Sequence, residues 1–198
     1  MTARIINADD YRRMRWKNGG GETIEIARYP GNSDLNAFGW RISMAMVASD
    51  GPFSGFPDVE RTLCVLSGAG ISLAVGNNIP VQLDAESAPF SFPADVAATA
   101  QLTDGPITDF NVMTRRGDWR HKVRRLRALA GDVIAIASAA THTIVFCRNG
   151  SLEASDGTAR LSLTAGATLS ITRGGEHWSL RSVEPAVGFI VEIEPAHA

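Results

Sequence analysis

Three short segments carry arginine, amide and carboxylate side chains at strand-like spacing: Trp40-Arg41-Ile42-Ser43, Glu60-Arg61-Thr62, and Asp109-Phe110-Asn111-Val112-Met113-Thr114-Arg115. Alternate residues of an extended chain share a face. Arg41, Ser43 and Ala45 therefore fall together, opposite Trp40, Ile42, Met44 and Met46. Asp109, Asn111, Met113 and Arg115 fall together in the same way, opposite Phe110 and Val112. The apolar faces suit a core. The polar faces must meet water or line a polar cavity, and the mouth of a barrel is a frequent place for one. The pattern alone leaves an ordinary solvent-facing surface equally open. If the faces line a cavity, the chemistry is carboxylate recognition, because a planar guanidinium grips a carboxylate through two parallel hydrogen bonds. Arg41 and Arg61 are the candidates for that grip. A fourth segment, Trp16-Lys17-Asn18-Gly19-Gly20-Gly21-Glu22-Thr23, can bring a further charge at Lys17. Its three glycines cannot nucleate a helix. It leads into Thr23-Ile24-Glu25-Ile26-Ala27, an alternating strand pattern, where a glycine turn lets backbone approach closely.

Other chemistries find less support. No Gly-Lys-Ser/Thr follows the glycines, so they are not a phosphate loop. Ser54 sits in Gly51-Pro52-Phe53-Ser54-Gly55-Phe56-Pro57, which is not the Gly-x-Ser-x-Gly elbow of hydrolases. Neither Cys64 nor Cys147 has a histidine partner nearby in sequence. Arg115–Arg127 holds seven of the 19 Lys and Arg residues, with Trp119 among them. That run reads as a solvated connector between two halves, with an anion-binding patch as the alternative.

The 198 residues suffice for one large β domain or two small ones. A 44% hydrophobic and 20% charged composition is that of an ordinary globular protein. The net charge of −2 argues against a dedicated nucleic-acid binder. No run of 18 apolar residues suggests a membrane span, and the first ten residues lack the apolar segment of a signal peptide. The two cysteines lie in apolar runs and read as buried thiols of a reducing cytoplasm, with a disulfide between them as the lesser alternative.

The elements that position these side chains are strands. Nineteen glycines and nine prolines are spread along the chain between short β-rich segments. The segments run over 41–48, 61–66, 70–75, 107–114, 133–137, 143–147, 161–163, 169–172 and 187–193. Asn149-Gly150 predicts a two-residue hairpin turn. Residues 9–14 and 95–100 are weak helix candidates. Thr62–Gly68 followed by Ile71–Val75 resembles Thr143–Gly150 followed by Ser151–Ala154, at an offset of about 80 residues, the size of a small β-barrel unit. Strand, glycine turn, strand and a later strand is the layout of a cupin barrel. The expected fold is all-β, a bicupin, with an N-terminal barrel over 1–118 holding the pocket and a C-terminal barrel over 119–198. Cupins often hold a metal through a His-x-His pair, a glutamate and a further histidine. The four histidines here are His121, His142, His177 and His197, no two of them one residue apart. Glu176-His177 resembles the last ligand position, but the first half has no histidine, and neither a metal nor another cofactor is expected.

Taken together, the quoted segments resemble the HutD/Ves family of bacterial bicupin proteins. The match runs through Trp16–Ile26, Trp40–Ala45, Asp50–Pro57, Arg61–Gly68, Phe90-Ser91-Phe92 and Asp109–Arg116, so order and spacing carry it across the first half. The family's Phe-x-Gly-Asp element is replaced by Phe92-Pro93-Ala94-Asp95. The resemblance implies a cytoplasmic protein linked to histidine utilisation. It would bind a small acidic metabolite such as formylglutamate or urocanate and sense or buffer it without turnover. On that reading Arg41 or Arg61 pairs with a ligand carboxylate, Asn18, Asn111 and Asp109 orient it, and Trp16, Phe90 and Met113 form apolar walls. Ser43 shares the Arg41 face, and no residue is assigned a catalytic role. One alternative is a metal-independent enzyme acting on a small nitrogenous acid, with Asp109 or Glu25 as general base. Another is a protein-partner adaptor presenting Phe53 and Phe56 on an exposed turn. Neither a nucleic-acid nor a membrane partner is expected, and a homodimer through strand edges stays open.

Overall fold

The computed structural model describes residues 2–16, 21–35, 37–136, 140–172 and 177–197. Its strands, in chain order, begin with β1 (Thr2–Ile6), β2 (Arg12–Arg15), β3 (Gly21–Tyr29), β4 (Trp40–Val47), β5 (Gly51–Pro52) and β6 (Val59–Ser67). They continue with β7 (Ile71–Val75), β8 (Val81–Leu83), β9 (Phe90–Pro93), β10 (Ala98–Leu102), β11 (Ile107–Arg115) and β12 (Trp119–Ala128). The last are β13 (Val133–Ile136), β14 (His142–Ser155), β15 (Arg160–Thr164), β16 (Thr168–Thr172) and β17 (Trp178–Pro195). One 3-10 turn, Ala8–Asp10, replaces the helix expected over 9–14, and Arg12 already belongs to a strand. The other helix candidate, 95–100, is a turn running into β10. Among the described residues no helix is long and apolar enough to cross a membrane.

The chain forms two compact units. One is Tyr11–Arg120, and the other joins His121–Ala196 to the residues through Asp10. The boundary expected after residue 118 lies close to this division, but the first ten residues do not belong to the first unit. β1 pairs antiparallel with β16, from Thr2 opposite Thr172 to Ile6 opposite Thr168. Strand pairing across the whole chain length is invisible to local pattern.

Within Tyr11–Arg120, a six-stranded sheet ordered β2-β3-β4-β11-β6-β9 accompanies a four-stranded sheet ordered β5-β10-β7-β8. Ala45, Val47, Leu63 and Val65 of the larger sheet pack with Ile71, Leu73, Leu83 and Ala100 of the smaller one, and all are nearly or fully buried. This apolar layer closes one part of the interior and leaves the Arg41–Arg61 part polar. The opposite face of β4, β6 and β11 is buried too: Ile42, Phe110, Val112 and Cys64 are at most 2% exposed. Met46, assigned to that apolar face, is instead 46% exposed near the strand end.

In the other unit, β14 and β17 are long strands that bend and pair with each other along most of their length. Asn149-Gly150 is therefore not a hairpin turn. It lies inside β14, where the register against β17 slips between Cys147 and Leu152. Gly150 has φ +83°, and a Cβ there would stand 2.2 Å from the Pro185 carbonyl oxygen. The left-handed conformation that Asn-Gly favours serves a bulge as well as a turn. Arg115–Arg127, read as a connector, is largely the ten-residue strand β12. Its alternating side chains put charge on a sheet edge, which discourages edge-to-edge pairing. Cys64 and Cys147 are buried and form no disulfide, and burial pushes the Cys147 thiol up to about 11.

Candidate functional site

The register of the six-stranded sheet builds the site. Met113 of β11 stands opposite Arg41 of β4 on one side and Arg61 of β6 on the other. Arg41 is in turn opposite Arg28 of β3, and Arg61 opposite Phe92 of β9. One row thus crosses five strands as Arg28, Arg41, Met113, Arg61 and Phe92. With strands about 4.8 Å apart, the Arg41 and Arg61 backbones are separated by about 10 Å. A second row places Ser43 opposite Asn111 and Glu25, and a third places Ala45 opposite Asp109 and Thr23.

These rows face a cavity of about 650 Å³, within the usual range for a small-molecule site. Trp16, Arg41, Ser43, Arg61, Asn111 and Met113 line it, six of the residues expected in the site. Phe90 does not reach it. That ring packs against the apolar core beside Phe92, with centroids 5.9 Å apart. Asp109 is fully buried and does not line the cavity itself, but it is hydrogen-bonded to Asn111 and Ala45, which do. Lys17 and Asn18 lie outside the described residues. The charged wall residues are Arg15, Arg41, Asp50 and Arg61, an excess of cations.

Each buried charge has a defined environment. Arg41 Nε donates to Glu25 Oε2 at 2.7 Å, and Arg28 Nε stands 3.5 Å from the other Glu25 oxygen. A bulge in β3 between Glu25 and Ala27 makes this ion group possible. Strict alternation would send residues 25 and 28 to opposite faces, whereas one extra residue returns them to the same face. Arg61 is held differently. Its Nε and Nη2 donate to Asn111 Oδ1 at 2.8 and 2.5 Å, so its direct partner is a neutral amide. The guanidinium carbon also lies 4.3 Å from the Phe53 ring centroid and 5.7 Å from that of Phe92. Burial lowers Arg61 to about 10, partly offset by the Asp109 charge, and it remains a cation at neutral pH.

Asp109 fixes the orientation of Asn111. Its Oδ1 accepts from Asn111 Nδ2 at 2.6 Å and from the Ala45 backbone N–H at 3.1 Å. That pair of bonds turns the Asn111 carbonyl toward Arg61. Burial raises Asp109 to about 6, against the lowering influence of the Arg61 charge and the two hydrogen bonds. At the mouth, the Trp16 indole N–H donates to Thr23 Oγ1 at 2.8 Å. Gly21 is the one glycine of its run among the described residues, and a Cβ on it would lie 2.1 Å from the Met46 carbonyl oxygen. The close backbone approach expected of the run is real at that position.

Two features of the site escaped the local sequence pattern. Glu25 stands at a polar position of an alternating strand pattern, and only the bulge reveals it as a buried partner of two arginines. The adaptor alternative needs Phe53 and Phe56 on an exposed turn, yet both are half-buried. Phe53 lines the cavity under Arg61, and Phe56 packs on Phe38 with ring centroids 5.9 Å apart. The apolar run of that turn was the available signal, because exposed phenylalanines are the less common outcome. In the loop that replaces Phe-x-Gly-Asp, Ala94 is buried and donates its N–H to the Val59 carbonyl, while Asp95 pairs with Arg116.

The family model described as HutD matches residues 8–186. The chain belongs to the HutD family. A curated relative from Pseudomonas putida, an uncharacterized 21.2 kDa protein in the hutC 3′ region, is 36% identical over 68% of this chain and 73% of its own length. Protein Ves of Cronobacter sakazakii is 42% identical over 110 residues, 55% of this chain and 59% of that protein. The chain thus spans about three-fifths of that relative's length. Among solved structures, HutD of Pseudomonas fluorescens SBW25 has 28% identity and a TM-score of 0.82, covering 98% of this chain and 99% of that one. The conserved protein PA5104 of Pseudomonas aeruginosa has 36% identity and a TM-score of 0.91. Likeness to the pirin YhhW and to oxalate decarboxylase, at 10% and 7% identity, establishes the all-β bicupin fold of this HutD-family chain. The YhhW structure is a nickel complex. The donor set here does not fit such an ion. Residues 11–120 contain no histidine, Glu25 is engaged by two arginines, and the wall carries an excess of guanidinium groups.

Proposed function

We propose that this HutD-family protein is a non-catalytic cytoplasmic binder of a small acidic metabolite, which it senses or buffers in the Arg41–Arg61 cavity. The observation that carries this reading is the pair of buried guanidinium groups on the cavity wall, with one strand between them. One of them, Arg61, has only a neutral amide as its direct side-chain hydrogen-bond partner among the described residues. An anion entering here gains a charge-assisted contact in a site already partly shielded from water. Two guanidinium groups with about 10 Å between their backbones suit a ligand with two carboxylates. Of the two histidine-degradation intermediates considered, formylglutamate has two carboxylates and urocanate one. Met113, Phe53 and Trp16 supply the apolar part of the wall.

The supporting geometry also sets the enzyme alternative lower. Asp109 and Glu25, its candidate general bases, do not line the cavity: one is sealed beneath Asn111, and the other is engaged by Arg41 and Arg28.

Calorimetric titration with formylglutamate, urocanate and glutamate tests the reading. The expected order is formylglutamate tighter than urocanate, with Arg61→Ala or Arg41→Ala costing about 2–5 kcal/mol of binding. Unchanged affinity in both variants removes this cavity as the site. Product appearing in the same mixtures replaces the binder with an enzyme.

A further inference from the structure

Asp109 is the one buried carboxyl group near this cavity without a salt-bridge partner among the described residues. It is 0% exposed. Its Oδ1 accepts two hydrogen bonds, whereas its Oδ2 is buried and has no hydrogen-bond partner in the structure. An ionised carboxylate normally uses both oxygens, and an orphaned buried acceptor is costly. Protonation at Oδ2 leaves Oδ1 an acceptor for Ala45 and Asn111 and replaces a stranded negative charge by a neutral hydroxyl, which costs less to bury. The charged groups on the strands around it are Arg61 of β6, Arg41 of β4 and Glu25 of β3, and Glu25 is already engaged by Arg41 and Arg28. Arg61 is therefore the cation whose field holds the Asp109 charge, and it is also the cation that a ligand would take.

We propose that Asp109 is a positioning residue that takes up a proton when an anion pairs with Arg61, so that ligand binding in this cavity is linked to protonation of a buried carboxyl. The proposal rests on the anion-binding reading above. Two negative charges would otherwise compete for one buried guanidinium. Once the anion arrives, the attraction that favoured ionised Asp109 is shared and water is displaced, and both changes favour the neutral acid. The proton comes from solvent, and Asn111 keeps its orientation because Oδ1 accepts in either state. With Asp109 near 6 in the free protein, the linkage operates just above that pH. Affinity is at its plateau where Asp109 is already neutral. It weakens as pH rises, by up to about tenfold per unit, until Asp109 is ionised in the complex as well.

Two measurements on the full chain test this. The first is calorimetry with formylglutamate at pH 7.2 in HEPES and in Tris, which differ in ionisation enthalpy, with a pH series from 5.5 to 7.5. The expected result is net proton uptake and roughly three- to tenfold weaker binding at pH 7.5 than at pH 5.5. In Asp109→Asn both the uptake and the slope should vanish. Binding without uptake, or an equal slope in the variant, overturns the proposal. The second is a carboxyl carbon NMR titration of Asp109 in the wild-type protein, which needs no ligand. A midpoint near 6 supports the proposal, and a midpoint at or below about 4 overturns it whatever binds. No heat with formylglutamate at any pH, with Asp109 titrating near 6, overturns the ligand reading and the linkage together while leaving the placement of the carboxyl intact.

Discussion

The two barrels use the inward faces of their strands in opposite ways. In the unit of His121–Ala196 the interior is aliphatic: Val145, Leu152, Leu163, Leu169 and Ile190 are each at most 1% exposed. In Tyr11–Arg120, the comparable faces of β4, β6 and β11 carry Arg41, Ser43, Arg61, Asp109 and Asn111, all buried and most of them on a cavity wall. An apolar interior is stabilised by area removed from water, at about 25 cal/mol per Å². A charged one must replace lost hydration group by group, and it does so here through Glu25, Asn111 and the Phe53 ring. The first barrel's interior is therefore stabilised through specific polar partners, and the second's through buried apolar area.

This contrast can be broken in a graded series. The largest effect is expected from Val145→Arg, which buries an uncompensated charge in the aliphatic barrel. It should cost about 5 kcal/mol or more and appear as loss of folded protein by circular dichroism. Glu25→Gln comes next, because it leaves Arg41 and Arg28 facing each other without their shared anion. A loss of about 3 kcal/mol in denaturant unfolding is expected, and a change under 1 would mean the cavity supplies that charge from solvent.

The third test concerns pH. Folding raises Asp109 from its ordinary value of 3.8 to about 6, so between those values the folded state binds more protons than the unfolded one. Stability carried by this group is present below about pH 4 and is lost as pH rises through 6, by roughly 2–3 kcal/mol. Wild type minus Asp109→Asn should show that slope between pH 4 and 7, and a flat difference would place Asp109 in a wetter site. Arg61→Met should change stability by only about 1 kcal/mol, since its direct partner is neutral and Asp109 can protonate. A loss as large as that of Glu25→Gln would mean the second arginine is structural and would weaken its assignment to ligand. The smallest effect belongs to Arg116→Ala, at the exposed pair with Asp95, where unfolding midpoints should coincide with wild type within error.

The sequence by itself determined the all-β class, the family and six of the residues that line the cavity. Alternation is a local property, so Arg41, Ser43, Asn111 and Met113 could be assigned to one face without knowing what that face met. Tertiary structure decided the rest. Whether the face met water or a cavity depended on the second sheet, which alternation in β4 and β11 does not encode. The partner of β1 depended on β16, more than 160 residues away. Asn149-Gly150 carried a turn signal that became a bulge, because a positive φ suits either and only the pairing with β17 selects one. Glu25 reached Arg28 and Arg41 through a single inserted residue in β3, a register change that leaves no mark in composition. Asp109 appeared as one polar residue among several, and its burial beneath Asn111 set its charge, since proton affinity follows from desolvation and neighbouring charge in three dimensions.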